Sequence, residues 1–257
     1  MTLAGKRILV TRSEEQNREL AVLVRRAGGT PVFFPTIRMM LPEDSGPLDQ
    51  EIGRLSSFDW VLFSSANAAR FFCDRLSQFG PTSWPSELRV GSVGPGTTRE
   101  LVSRGVPVFL TSEQHTAEGL YEALRLRGVA KRRFLIPRAA KWRIFLEEAI
   151  RKDGGEVVSV VAYRNMIAEK DEEVAAQIVA LPPDVCVFAS PSAFSNLFLL
   201  LGEEEARCML RKSRIAVIGE VTARTVRARE FNVDIMPETY TLEALMDAVE
   251  AFFAKEK

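Results

Sequence analysis

The chain contains one histidine, His115, in 257 residues. A Ser-His-Asp or Cys-His catalytic set would have to use that residue, and no G-x-S-x-G nucleophile elbow is present to accompany it. Cysteine is also scarce: Cys73, Cys186 and Cys208 are odd in number and far apart. They read as reduced packing residues rather than a disulfide framework or a zinc site. No apolar run approaches the ~18 residues of a membrane span. The opening Met1 to Arg7 lacks the apolar stretch and cleavage site of a signal peptide, so a cytoplasmic protein is expected. Lys plus Arg balance Asp plus Glu at 34 each, which removes the basic footprint of a general nucleic-acid binder. There is no Walker A motif and no cluster of metal ligands, and Gly91, Gly94 and Gly96 have the wrong spacing for a dinucleotide fingerprint. ATP and nicotinamide chemistry are therefore not expected.

What the chain does have is a repeat. Phe63-Ser64-Ser65-Ala66-Asn67-Ala68 returns 125 positions later as Phe188-Ala189-Ser190-Pro191-Ser192-Ala193. Arg89 to Gly94 with Thr97 returns as Arg214 to Gly219 with Thr222, and Thr116 as Thr241, at the same offset. At an offset of 126, Arg7 to Arg12 matches Arg133 to Arg138, and Gly28-Gly29 matches Gly154-Gly155. Repeats of this length indicate two similar domains, since solenoid repeats run at about 20 to 50 residues.

Short Val-, Ile-, Leu- and Phe-rich runs alternate with segments of helical period, the pattern of βα units around a parallel sheet. Ten strands are expected: Arg7 to Thr11, Thr30 to Phe34, Trp60 to Ser64, Arg89 to Val93, Val106 to Leu110, Arg133 to Pro137, Val157 to Tyr163, Val185 to Ala189, Arg214 to Ile218 and Val233 to Met236. Among the helices expected between them, one starts at Trp142, and Ser65, Thr97, Thr116, Ser192, Thr222 and Thr241 stand as N-caps. The stretch from Pro42 through Pro47 and the charged run Glu169 to Glu172 read as linker zones.

In an open parallel sheet, ligands bind beyond the carboxyl ends of the strands, and every repeated motif falls there. Ser65, Asn67, Thr97, Ser190, Ser192 and Thr222 gather hydroxyls, an amide and helix N-termini into anion sites, or they are only caps and turns. Arg12 and Arg138 end the first strand of each copy. With Lys141 and Arg143, Arg138 gives three cations within six residues, enough to clamp carboxylates. The alternative leaves Lys141 and Arg143 on the exposed side of the Trp142 helix. Tyr163 closes an apolar strand, where it either packs or presents a phenol.

In order and spacing, these segments together resemble the uroporphyrinogen-III synthase family. Ile8 to Arg12, Asp59 to Ala68, Val93 to Thr97, Pro137 to Arg143, Ala162-Tyr163, Phe188 to Ala193, Ile218 to Arg224, and Pro237 with Thr241 to Leu245 carry the likeness. The resemblance implies an α/β fold of two flavodoxin-like (Rossmann-like) parallel-sheet domains joined by a two-stranded linker, with the active site in the interdomain cleft. It implies that the chain leaves the first domain, builds the second and returns. The expected boundaries are 1–36 plus 168–257 for domain 1, 41–163 for domain 2, and 37–40 and 164–167 for the linker strands. The implied activity is that of a cofactor-free hydro-lyase, which cyclises hydroxymethylbilane with loss of water and inversion of ring D to give uroporphyrinogen III. Tyr163 matches the tyrosine proposed to assist the departing hydroxyl, and Thr97, Ser190 and Thr222 match polar cleft positions. The Arg138 to Arg143 segment departs from the family's glycine-rich loop. The implied protein is a monomer in tetrapyrrole (haem, sirohaem, cobalamin) biosynthesis, without nucleic-acid or membrane partners and with at most transient contact to neighbouring pathway enzymes. A non-catalytic two-domain binding protein and a regulatory relative of the same fold are the competing readings.

Overall fold

The computed structural model describes residues 2–80 and 84–255, with residues 14–16 placed by their backbone alone. The chain divides into two compact units, Met1–Arg38 with Met166–Lys257, and Met39–Asn165. It begins with β1 (Arg7–Val10), α1 (Glu14–Arg26), β2 (Thr30–Phe33) and β3 (Ile37–Met40). The second unit continues through α2 (Gly46–Ile52), β4 (Trp60–Phe63), α3 (Ala66–Phe79), β5 (Arg89–Ser92), α4 (Pro95–Ser103) and β6 (Leu110–Thr111). It ends with α5 (Ala117–Arg125), β7 (Arg133–Ala139), α6 (Phe145–Lys152) and β8 (Glu156–Ile167). The chain then completes the first unit with α7 (Glu172–Ala180), β9 (Val185–Phe188), α8 (Pro191–Leu201), α9 (Glu203–Arg211), β10 (Arg214–Val217), α10 (Glu220–Arg227) and α11 (Leu242–Lys255).

The first unit's sheet runs β10-β9-β1-β2, all parallel, with a single parallel bridge from Ala216 to Ile235 beyond β10. Counted along the unit, this is the flavodoxin-like order 2-1-3-4, with the bridge standing where a fifth strand would lie. The second sheet runs β3-β8-β7-β4-β5-β6. There β8-β7-β4-β5-β6 reproduces the same spatial order, but its first two strands come last in the chain. The second unit is thus a circular permutation of the first, and the offsets of 125 and 126 carry each motif onto its counterpart.

Both faces of each sheet are buried, so the strands read as continuous apolar runs rather than alternating ones. Side chains still alternate between faces. Leu9, Cys186, Phe188 and Ile215 pack with α8 to α10, while Ile8, Val10, Val185 and Val187 pack with α1 and α11. In the second unit Val61, Phe63 and Leu135 face α3 and α4, and Trp60, Leu62, Phe134 and Ile136 face α5 and α6. Burial raises the Cys73 and Cys186 thiols to about 12, which keeps both protonated and inert; lesser opposing effects come from Arg104 at Cys73 and from a Ser213 hydrogen bond at Cys186.

The repeat extends to how the sheets begin. Asp184 accepts a hydrogen bond from the Arg7 N–H at 2.8 Å, and Asp59 accepts one from the Arg133 N–H at 2.8 Å. Each aspartate precedes one central strand and satisfies the first donor of its neighbour. Gly28 and Gly154 end their helices at φ of +88° and +80°, a left-handed turn that glycine adopts without strain.

Several elements depart from expectation. The strand expected at Val106 to Leu110 is reduced to Leu110–Thr111, and that at Val233 to Met236 to the Ile235 bridge. These are edge positions with one neighbour, where apolar content alone does not secure a ladder. The proline-containing segment read as linker begins a helix, α2, because Pro47 sits in its first turn, where a missing N–H costs nothing. Helix α9 was not expected; Gly202 at φ +96° separates it from α8 and splits what reads as a polar continuation.

Two outcomes follow. Phe134→Ala should lower unfolding free energy in urea by about 3–5 kcal/mol, because the ring is fully buried against α6. At Asp184, burial raises the carboxyl's pKa, but the Arg7 N–H and the Lys6 ammonium at 3.0 Å outweigh it and hold it below the usual aspartate value. Its stabilising contribution is therefore complete above the unfolded-state pKa of about 3.9 and is lost as pH falls through the lower folded value. The stability gap between wild type and Asp184→Asn should shrink between pH 7 and pH 3; a constant gap would contradict this assignment.

Candidate functional site

The predicted residues lie at the carboxyl ends of the strands of their own units. In the second unit, β4 runs into Ser65, whose Oγ accepts the Ala68 N–H at 3.1 Å and caps α3. Asn67 is half-buried in the next turn. The strand β5 runs into Gly94, the N-cap of α4, which has no side-chain cap. Thr97 is therefore not the cap expected of it; it lies inside the first turn and is only 5% exposed. Thr222 is likewise inside α10, behind the N-cap Gly219, and 2% exposed. Ser190, not Ser192, caps α8, accepting the Ala193 N–H at 3.2 Å, and exposed Ser192 stands 3.2 Å from the Ser190 hydroxyl.

The β7–β8 pair carries a register shift. Arg138 pairs with Val161 but Ala139 with Tyr163, so Ala162 is the extra residue of a bulge. Period-two alternation would send Tyr163 to the face opposite Ala162. The bulge instead puts both on one face, and the Tyr163 ring is 7% exposed and stacked on Phe71 at 5.5 Å and 13°. The Tyr163 carbonyl accepts the Ala140 N–H at 2.9 Å, which fixes the strand end beside Arg138. Among the described residues, the Tyr163 hydroxyl has no hydrogen-bond partner.

Arg138 is partly committed. Its Nε lies 3.3 Å from Ser159 Oγ and 3.7 Å from Glu147 Oε1, and its Nη1 donates to the Ala139 carbonyl at 3.0 Å. Glu147 is buried, with Arg151 as its other cation at 3.5 Å. Lys141 and Arg143 lie in the loop before α6 rather than on a helix starting at Trp142, since the helix begins at Phe145. Both are exposed, and Arg143 pairs with Glu118 at 2.7 Å.

In the first unit, Thr11 Oγ1 donates to the Val187 carbonyl at 2.9 Å and ties the ends of β1 and β9 together. Thr36 Oγ1 donates to the Thr11 carbonyl at 3.0 Å. Arg12 follows, and Asn17 holds its backbone from both sides: the Arg12 N–H donates to Oδ1 at 3.1 Å, and Nδ2 donates to the Arg12 carbonyl at 2.8 Å. Burial lowers the Arg12 pKa, partly offset by Glu19, which marks a guanidinium drawn out of bulk water.

Sequence reasoning missed two groups. Asn17 lies in the first turn of α1, which begins at Glu14, and its side chain brackets Arg12. Ser92, Thr98 and Thr111 form a hydroxyl chain, with Oγ–Oγ1 at 2.6 Å and Oγ1–Oγ1 at 2.8 Å, joining β5, α4 and β6. Their repeat partners are Val217, Ala223 and Met236, so the signal was a difference between the copies. A cavity of about 330 Å³ lined by Arg207, Arg214, Phe231 and Asp234 contains none of the predicted residues. It sits at the amino end of β10, and of the arginines that line it Arg207 pairs with Glu203 and Arg214 with Asp234. Among the described residues, no group of three or more potential metal ligands occurs, and no helix is long and apolar enough to cross a membrane.

Comparison with known proteins agrees with this architecture. The family model described as uroporphyrinogen-III synthase HemD matches residues 18–247. A uroporphyrinogen-III synthase from Synechococcus elongatus is 29% identical, over 96% of this chain and 96% of its own. A putative uroporphyrinogen-III synthase from Methanothermobacter thermautotrophicus is 27% identical, over 93% of this chain and 96% of its own. Among solved structures, a mutant uroporphyrinogen III synthase from the extremely thermophilic bacterium Thermus thermophilus superposes with a TM-score of 0.59 at 16% identity, covering 98% of this chain and all of that one. A Helicobacter pylori uroporphyrinogen-III synthetase gives 0.56 at 17% identity, covering 96% and 98%. Both are likenesses of fold. With nearly the whole chain matched and the two parallel-sheet units in place, the chain belongs to the uroporphyrinogen-III synthase family.

Proposed function

We propose that this chain cyclises hydroxymethylbilane to uroporphyrinogen III, the reaction of its family, with Tyr163 as the group that assists departure of the terminal hydroxyl. The observation that supports Tyr163 is the bulge: it aligns the tyrosine beside Arg138 and buries its ring, and the hydroxyl has no hydrogen-bond partner among the described residues. In the reaction a pyrrole nitrogen pushes electrons toward the hydroxymethyl carbon, the C–O bond breaks, and the leaving oxygen takes a proton to depart as water. The substituted carbon of ring D attacks the resulting azafulvene cation and gives a spiro intermediate, whose fragmentation and reclosure invert that ring. The substrate supplies its own electron push, so the protein's work is to fold a flexible chain and present one proton donor. A phenol is a weak acid, which suits an assisting role rather than an indispensable one.

The carboxylates of the substrate are assigned to Arg12, Ser65, Asn67, Thr97, Ser190, Ser192 and Thr222 together with the N–H groups at the starts of α3, α4, α8 and α10. Helix starts favour anions because their first donors lack intrahelical partners and the helix dipole adds partial positive charge. Lys141, exposed, is assigned to the outer carboxylates. Arg138 and Arg143 first have to loosen their pairs with Glu147 and Glu118 and are secondary contributors. The organisation read here is residues 1–36 with 168–257 as one domain, 41–163 as the other, and 37–40 and 164–167 as linker strands. The working protein is a cytoplasmic monomer with only transient contacts to neighbouring pathway enzymes.

Tyr163→Phe should slow isomer III formation from hydroxymethylbilane by about 10-fold, short of the roughly 10²–10⁴-fold of a strong positioned proton donor, as suits an assisting role. Its urea midpoint should stay close to wild type because the Phe71 stack is retained. The products are separated after oxidation; wild type giving only isomer I at the buffer rate would sink the reaction assignment, and an unchanged Tyr163→Phe rate would remove that residue alone.

A further inference from the structure

Two rings that the proposed mechanism does not use occupy equivalent places in the two units. An ideal Cβ built on Gly94 would lie 3.3 Å from the His115 ring, and one on Gly219 would lie 2.9 Å from the Tyr240 ring. In both cases the three nearest atoms all belong to that one side chain. Both glycines have extended backbones, with φ of 172° and 177°, so nothing but the ring favours glycine there. His115 and Tyr240 stand 125 positions apart, each immediately before the threonine that opens α5 or α11. Despite this contact the rings are not core residues: His115 is exposed, and Tyr240 is 59% exposed. His115 also holds the sparsely populated left-handed backbone, at φ +54°, a conformation that concentrates at functional sites.

The helices beneath these rings differ from their neighbours. Ser65, Thr116 and Ser190 cap α3, α5 and α8 with their side chains, whereas α4 and α10 begin at glycines that supply no side-chain acceptor. Pro95 has no N–H, so Gly96 and Thr97 carry the open donors of α4; Glu220, Val221 and Thr222 carry those of α10, where the Glu220 carboxylate is held by Arg224 at 3.4 Å and Arg227 at 3.1 Å. Behind them sit the buried residues Thr97 and Thr222, whose hydroxyls make no hydrogen bond among the described residues. The carbons of each ring cover the glycine from one side, and the ring's polar atoms lie farther from it.

We propose that His115 and Tyr240 are substrate-positioning residues, each providing a wall and a hydrogen-bonding edge for one carboxylate that docks at the start of α4 or α10. This inference rests on the reading of the chain as a tetrapyrrole-forming enzyme and adds two residues to it. Such contacts hold the substrate equally in ground and transition states, so their loss raises KM and leaves kcat largely intact.

The test uses the full chain with His115→Ala, Tyr240→Ala, His115→Phe, Tyr240→Phe and Gly219→Ala. Two readouts are taken: KM and kcat for hydroxymethylbilane, and the affinity for uroporphyrin III, a stable octacarboxylate, by tryptophan fluorescence. Each alanine variant should raise KM and weaken uroporphyrin binding about tenfold, the loss of the wall together with the hydrogen-bonding edge. The Phe variants keep the wall and should lose about threefold. Gly219→Ala should match Tyr240→Ala, because its Cβ displaces the ring without changing it. Alanine variants within twofold of an active wild type would overturn the ring assignment while leaving the reaction assignment standing. Wild type that makes only isomer I, with uroporphyrin binding still weakened by the alanine variants, would overturn the reaction and keep the rings; wild type that makes only isomer I and binds no uroporphyrin would overturn both.

Discussion

Parallel pairing of strands buried on both faces is the constraint on which the rest of this structure depends. Such strands cannot be joined by tight turns, so β1, β4, β5, β7, β9 and β10 are each followed by a helix that crosses back over the sheet. Within each sheet these strands end at the same edge, and the helices that follow them start there. The polar groups that a buried sheet excludes from its interior collect at that edge: Thr11, Arg12, Ser190 and Gly219 in one unit, Ser65, Gly94, Arg138 and Tyr163 in the other. The opposite edge holds the Asp59 and Asp184 contacts, which serve the ladders alone.

Duplication explains what the units share, and their differences explain what one sheet could not do twice. The hydroxyl chain of Ser92, Thr98 and Thr111 has only apolar or small partners in the other unit. The bulge that turns Tyr163 onto the Ala162 face is found in β8, whereas the β1–β2 ladder is in continuous register from Arg7 to Val10. A ring closure that inverts one terminal pyrrole is directional, and an asymmetric pair of sheet edges suits it better than a symmetric pair. The central strands stay close copies because they must satisfy the same packing on both faces.

The sequence made the sheets legible because buried parallel strands are unbroken apolar runs, and the repeat supplied two readings of each. Edge strands were less legible, since Val106 to Leu110 has apolar content but only one neighbour with which to pair. Helix α2 was hidden by prolines that usually mark a turn but also fit a first helical turn. Thr97 and Thr222 were placed correctly at helix starts, yet assigned the wrong position within them: a glycine N-cap offers no side-chain signal, so the nearest hydroxyl takes the credit. Asn17 and Glu147 could not be read at all. Their partners are the backbone of Arg12 and the side chain of Arg138, and neither contact follows from spacing alone.

The account stands on ligand binding at the carboxyl edges of both sheets, and amide NMR of the full chain titrated with uroporphyrin III tests that most directly. The predicted result is saturable shifts at the N–H groups of Asn67, Gly96, Ser192 and Val221, with Arg7 and Arg133 at the amino edges unmoved. Shifts confined to the amino edges, or to one unit only, would contradict it.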